Sequence, residues 1–276
     1  MPYLELTGAR LYYETAGTGP RALCFIPAGI CTCAMWKPQI DAFTTGPLAE
    51  QYRCITFDPR GYGQTEMTSA AAYSNRNDID RLLDHLGIGR AVLIGCSRGG
   101  AMAVDYALEH PFRVTGLVPV CAGLTGIAFE PSEAEHAVFS EMDALEAAGD
   151  TDALIEREID IFLVGFNRTR ADVDPQLIET VRAMQHINAR HAQAGEQHHP
   201  IVMTPPAIER LRDIKAPTLV VLGLEDDGYA HAVARKLATD IPNAQLVALD
   251  STAHLPSLER PEAFNAALSA FLRDLG

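Results

Sequence analysis

Positive charge is scarce in this chain, and no run of Lys and Arg relieves the acidic background: 22 basic residues stand against 36 acidic ones, a formal charge of −14. Such a field repels phosphate backbones and anionic lipid surfaces, so neither nucleic acid nor a membrane is an expected partner. No segment reaches the ~20 consecutive apolar residues of a membrane helix. The opening MPYLELTGARLYYETAG has neither a basic start nor an apolar stretch of signal-peptide length. A soluble, cytoplasmic protein is expected, acting on a small molecule, alone or as a homodimer. Metal-ligand spacing is missing too. Cys31 and Cys33 form a C-x-C with no second Cys or His pair at zinc distance. Cys24, Cys54, Cys96 and Cys121 lie within or at the ends of apolar runs, where a thiol packs as a small hydrophobe. The cysteines are expected to be free thiols, with no metal and no cofactor. There is no internal repeat and no low-complexity tract.

With 276 residues, 47% hydrophobic and 21% charged, the chain can build one large core carrying an insertion and leaves no room for extensive disorder. YLELTG and ARLYYETAG alternate in period two around Gly8, the pattern of a hairpin. ALCFIPA, RCITFD, AVLIGC, GLVPVCA, TLVVLG and AQLVALD are continuous apolar runs, as expected for strands covered on both faces. Helical patterns lie between them. Ile79, Leu82, Leu83 and Leu86 form a stripe closed by Gly87, and Pro261 opens RPEAFNAALSAFLRDL. This alternation predicts a doubly wound α/β core, residues 1–123 and 211–276, around a mostly parallel eight-stranded sheet.

Between GLVPVCAG and TLVVLG the alternation stops for roughly ninety residues, too many for a simple crossover. Ser132 and Glu135 are spaced as a capping box ahead of Val138, Met142 and Leu145. Asp174-Pro175 opens another helix carrying Leu177, Val181 and Met184 as far as Gly195. Residues 124–210 are therefore expected to form a helical lid over the carboxyl ends of the strands. The competing reading is that these helices extend the core.

A polar triplet, Cys96-Ser97-Arg98, interrupts AVLIGCSRGGAMAVDYA at the join of a predicted strand and helix. With Gly95 and Gly99 it matches G-x-S-x-G in the strand-to-helix context that motif requires. So sharp a turn strains its central residue and brings helix against strand, which demands glycine on either side. Ser97 is the candidate nucleophile. Cys96 is the stronger nucleophile intrinsically, but it belongs to the strand end and points into packing, whereas the helix amino terminus faces the Ser97 side chain.

A serine needs a base, and the base an orienting carboxylate. His85, His110, His136, His186, His191, His198, His199 and His231 fall on predicted helices, at their ends or in the lid. His254 alone follows the last strand, at the edge where the loops of such a sheet gather. The acid is expected after a strand and before that histidine, and LEDDGY offers Glu225, Asp226 and Asp227. Asp226, third beyond Gly223, is preferred, and its two neighbours are expected to be solvated loop charges.

In this order the motifs resemble the α/β-hydrolase fold superfamily, with Ser97, Asp226 and His254 matching its nucleophile, acid and base. FDPRGYGQTE, residues 57–66, is similar to its D-x-R-G-x-G-x-S/T signature, in which Asp58 and Arg60 are structural. Two positions depart from the pattern. Pro27-Ala28-Gly29 stands where relatives usually carry His-Gly-x, with Trp36 at the familiar distance downstream, and Arg98 stands where Met, Leu or an aromatic residue is common. The resemblance implies an oxyanion hole made by the backbone N–H groups of Gly29, or Ile30 one place on, and of Arg98. The Arg98 side chain is expected to fold away under the lid, the alternative being that it holds a substrate carboxylate. The implied function is a cofactor-free serine hydrolase cleaving small, largely apolar carboxylic esters or lactones. A carbon–carbon bond hydrolase or a cofactor-free perhydrolase (haloperoxidase) with the same triad is the alternative. A ligand receptor that has kept a hydrolase pocket is a third.

Overall fold

The computed structural model describes residues 2–45, 48–194 and 198–275. Gly195, the expected end of the second insertion helix, lies outside them. The strands are β1 (Tyr3–Leu6), β2 (Ala9–Ala16), β3 (Arg21–Ile26), β4 (Tyr52–Phe57), β5 (Glu66–Met67), β6 (Ala91–Cys96), β7 (Val114–Val120), β8 (Thr218–Gly223) and β9 (Ala244–Leu249). They form one sheet in the order β1-β2-β4-β3-β6-β7-β8-β9, with β5 beside β2. The pairs that β2 makes are antiparallel, and every pair from β4 to β9 is parallel. The sheet thus has one strand more than the eight expected. β5 sets only Glu66 and Met67 against Arg10 and Ala9, too short a run to show any alternation in sequence.

The helices are α1 (Lys37–Thr44), α2 (Asn75–His85), α3 (Arg98–Glu109), α4 (Glu133–Ala148), α5 (Thr151–Glu158), α6 (Pro175–Gln193), α7 (Gly228–Asp240), α8 (Pro256–Glu259) and α9 (Pro261–Asp274). Successive strand residues alternate between two cores, because side chains on a strand point to opposite faces. Cys24, Ile26 and Leu93 pack with Ile79 of α2, Ala103 of α3 and Val233 of α7. Leu23, Phe25 and Ile94 pack with Phe43 of α1 and Phe264 of α9 on the other side. β9 departs from the expected two-sided cover. It ends the sheet with a single neighbour, and Leu246 is 42% exposed.

The insertion between β7 and β8 holds α4, α5, α6 and a π-helical turn, Ile159–Val164. Its local signals are as written in the sequence: Ser132 and Glu135 close a capping box on α4, and Asp174 caps α6 with Pro175 in the first turn. α4 buries little, Val138, Met142 and Leu145 being half-covered. Farther along, Ile155, Ile159, Leu163, Ile178 and Val181 join the core cluster of Phe25 and Trp36, so that stretch does extend the core.

Two buried acids stitch the loops beneath this layer. Asp58 accepts the N–H groups of Cys33 (2.7 Å) and Gln64 (2.8 Å), tying the loop after β3 to the loop after β4. Arg60 donates to both oxygens of Asp78 (2.7 and 2.9 Å) and to the Thr7 carbonyl (2.8 Å). Breaking such a buried pair leaves an uncompensated charge, which costs about 3 to 5 kcal/mol. Arg60→Met is therefore expected to lower unfolding stability by that amount in urea titrations. Arg10→Met, which breaks exposed pairs with Glu5 and Glu66, is expected to leave the midpoint unchanged.

Candidate active site

β6 ends at Cys96 and α3 begins at Arg98, so Ser97 alone turns the chain. Its backbone sits at φ 54°, ψ −119°, a conformation that side-chain-bearing residues rarely adopt. The strain is held from both sides. Ser97 N–H donates to the Val120 carbonyl (2.9 Å), and its own carbonyl accepts from Ala101 (3.1 Å) and Gly123 (3.0 Å). The flanking glycines are required by contact: a Cβ on Gly95 would overlap the Gly99 carbonyl, and one on Gly99 would come within 2.6 Å of the Pro27 carbonyl oxygen. Cys96 is buried, its Sγ donating to the His254 carbonyl (3.4 Å), and burial pushes its thiol well above the ordinary range.

His254 follows β9 and meets Asp226, from the loop after β8, through Nδ1 at 2.8 and 3.0 Å from the two carboxylate oxygens. With the carboxylate ionised, Nδ1 carries the proton and donates it, leaving Nε2 as an acceptor. Burial pulls the imidazole pKa down, but the charge of Asp226 and its hydrogen bond outweigh that and raise it above the ordinary 6.5. The backbone is anchored as well: His254 N–H donates to the Phe162 carbonyl (3.0 Å) in the insertion. Ala253 and Leu255 donate to Glu259 (2.9 and 3.2 Å), which Arg168 pairs at 2.6 Å.

Ser97 and His254 line one cavity of about 430 Å³, walled by Cys121, Ile127, Phe129, Phe139, Phe162 and Tyr229. Ser97 Oγ and His254 share this space without a hydrogen bond between them among the described contacts. Asp227 corrects the expectation of a solvated charge. It is 6% exposed and caps α7 by accepting from Ala230 N–H (2.7 Å), because the loop leads straight into that helix. Glu225 is half-buried.

Three contributors were not visible in sequence. Cys121, at φ 42°, brings its sulfur within 4.8 Å of the Asp226 and His254 ligand atoms. These three form the one metal-capable cluster among the described residues, yet Nδ1 and the carboxylate are already bonded to each other. Asn188 of α6 donates to the carbonyls of Gly29 (3.2 Å) and Cys31 (3.0 Å), holding the loop after β3. Glu259 braces the histidine loop, as above. None of these residues lies in a motif, and only their long-range neighbours give them a purpose.

In that loop Cys31 N–H closes a turn onto the Ala28 carbonyl (3.1 Å), while the N–H groups of Gly29, Ile30 and Arg98 have no acceptor among the described residues. The Arg98 side chain turns onto Tyr62, its guanidinium carbon 3.5 Å from the ring centre.

A mostly parallel sheet with helices on both faces, its polar loops gathered at the strands' carboxyl ends, defines an α/β enzyme core. Residues 22–261 match the family model of the alpha/beta hydrolase fold, and the chain belongs to that family as one of its hydrolases. It is 28% identical over 285 residues to a 2-hydroxy-6-oxononadienedioate/2-hydroxy-6-oxononatrienedioate hydrolase of Burkholderia vietnamiensis, covering 97% of this chain and 92% of that one. A 3-oxoadipate enol-lactonase of Acinetobacter baylyi is 26% identical over 245 residues, covering 87% and 84%. The crystal structure of the enol-lactonase from Burkholderia xenovorans superposes with a TM-score of 0.78 at 23% identity, covering 99% of this chain and 100% of that one, a likeness of fold. Among the described residues no helix is long and apolar enough to cross a membrane.

All six cysteines are buried and unbridged. Titration of the native protein with a thiol-specific disulfide reagent is expected to modify less than one cysteine per chain, and six after denaturation. Rapid modification of one thiol in the native state would restore Cys96 as a nucleophile to consider.

Proposed function

We propose that this hydrolase works without a cofactor as a serine hydrolase on small, largely apolar carboxylic esters or lactones, through an acyl-enzyme. The observation that carries the proposal is the strained Ser97 at the mouth of an apolar cavity, opposite a histidine whose Nδ1 is held by Asp226. Ser97 Oγ attacks the carbonyl carbon as its proton passes to His254 Nε2, and Asp226 stabilises the imidazolium that forms. The N–H groups of Gly29 and Arg98 receive the oxyanion. Collapse of the tetrahedral intermediate expels the alcohol, which takes the proton from His254. Water, deprotonated by the same imidazole, then releases the acid. The aromatic walls Phe129, Phe139 and Phe162 favour apolar substituents and exclude bulk water.

Residues 124–210 act as the lid in this reading. They supply five walls of the cavity, Ile127, Phe129, Pro131, Phe139 and Phe162, and the last also holds the His254 backbone. A carbon–carbon bond hydrolase using the same residues is the second reading, favoured by the name of the 28% identical relative. Nitrophenyl esters of graded length, lactones and a vinylogous diketone, assayed side by side, separate the two by which substrate has the highest kcat/KM.

Ser97→Ala is expected to abolish ester turnover with the melting temperature nearly unchanged. Asp226→Asn should lower kcat by about 10³- to 10⁴-fold, and Asp227→Asn, which keeps the helix cap, should do little. Because the base must be neutral, kcat/KM is expected to fall tenfold per pH unit on the acid side of the His254 pKa. The raised value puts that midpoint above 6.5, and Asp226→Asn should move it down. An acid limb unmoved by Asp226→Asn would remove Asp226 from its place beside the base.

The oxyanion register is tested by proline, which deletes a donor. Gly29→Pro is expected to cost about 10²- to 10³-fold in kcat, and Gly29→Ala, which keeps the N–H, far less. If Ile30→Pro is the dead variant instead, the donor lies one residue on.

A further inference from the structure

Arg98 is the one cation of its cavity without an anionic partner among the described residues. The cavity, about 270 Å³, also holds Arg76 and Asp105. Arg76 is answered by Glu109 and Asp105, and Asp105 accepts from Thr125 as well (3.4 Å). Asp58, the carboxylate whose charge acts on Arg98, has both oxygens engaged by backbone N–H groups. Arg98 has only the Tyr62 face, and its Nε and Nη2 are cut off from solvent with no hydrogen-bond partner.

Those two nitrogens are a particular pair. Nε and Nη2 form the side edge of a guanidinium, where two parallel N–H groups match the two oxygens of a carboxylate. An apolar side chain would occupy the same place without a desolvated charge, which makes an orphaned fork in a protein interior a candidate anion-binding edge. The fork also lies beside the reacting centre. Nε is 3.9 Å from where a Cβ on Gly29 would sit, and Arg98 directly follows Ser97. The linings of the two cavities adjoin: Ala101, which lines the Arg98 cavity, packs 3.6 Å from the Cβ position of Gly123, which lines the Ser97 cavity.

We propose that Arg98 is a specificity-determining residue whose Nε/Nη2 edge binds a free carboxylate of the substrate, so that the preferred substrates are half-esters of dicarboxylic acids. This rests on Ser97 as the nucleophile and adds an anionic end to an otherwise apolar substrate. The carboxylate lies within a few bonds of the scissile carbonyl, on the Gly29 side of Ser97, with the apolar remainder against Phe129, Phe139 and Phe162. The side chain lies on Tyr62 with its Nε beside Gly29, and from there the fork meets a bound acid.

The test compares monoethyl glutarate with ethyl pentanoate, its uncharged counterpart, by proton release. The readout is the ratio of their kcat/KM values, in which any change in the shared oxyanion hole cancels. Wild type is expected to favour the half-ester, and Arg98→Met to reduce that ratio at least about 30-fold, the loss expected for one partner of a buried charge pair. Arg98→Lys, which keeps charge and loses the fork, should fall between. An unchanged ratio in a cooperatively melting Arg98→Met overturns the proposal. Calorimetry on Ser97→Ala supplies a measurement that needs neither turnover nor an Arg98 variant. Binding of monoethyl glutarate at least tenfold tighter than ethyl pentanoate supports the site, and equal affinity overturns it. Turnover of both esters by Ser97→Ala would instead defeat the serine mechanism and leave the ratio test standing.

Discussion

The backbone contact between the start of α3 and the ends of β3 and β6 is the constraint on which the site depends. At Gly95 and Gly99 main chain meets main chain with no space for a Cβ, and Ser97 is bent to φ 54° between them. The same contact does a second thing. Gly99 lies against the Ile26 and Pro27 carbonyls, so the loop that continues to Gly29 is set beside Ser97 by the packing that strains Ser97. Ser97 and the loop that carries Gly29 are thereby placed by one close approach, with the carbonyl of Ser97 accepting two N–H groups to hold it. Strain of this kind persists only where the surroundings over-determine it.

Farther out, buried carboxylates hold the loops. Asp58 fixes the loop after β3 through Cys33, and Glu259 fixes the loop of His254 through Ala253 and Leu255. Asp226 takes the imidazole and Asp227 takes the first turn of α7, two adjacent acids with separate duties. Each of these carboxylates meets hydrogen-bond donors, as burial of charge requires. Arg98 breaks the pattern, having an aromatic face and no hydrogen-bonded acid among the described residues. The insertion is tied to the site by the bond from His254 N–H to the Phe162 carbonyl, by Arg168 on Glu259, and by Asn188 on the loop after β3. Movement of α6 or of the π-helical turn therefore reaches the His254 loop and the loop after β3 directly.

Local chemistry made much legible in the chain: the elbow's glycines, the capping box at Ser132, the Asp174 cap, the Gly8 hairpin, and the order Ser97, Asp226, His254. A glycine demanded by contact and a side chain bonding two or three residues on are visible in a short window, because their partners lie within it. Other features follow from contacts between distant parts of the chain. β5 is too short for a period, and the exposure of Leu246 follows from β9 having one neighbour, a property of the sheet and not of the run AQLVALD. Asp227 became a buried cap, and Cys121, Asn188 and Glu259 took their places around His254 and Gly29, through contacts far apart in the chain. Arg98 shows the division most plainly. Its position marked it as a departure, but only the folding of Tyr62, Gly29 and Asp58 around it left its fork without a partner.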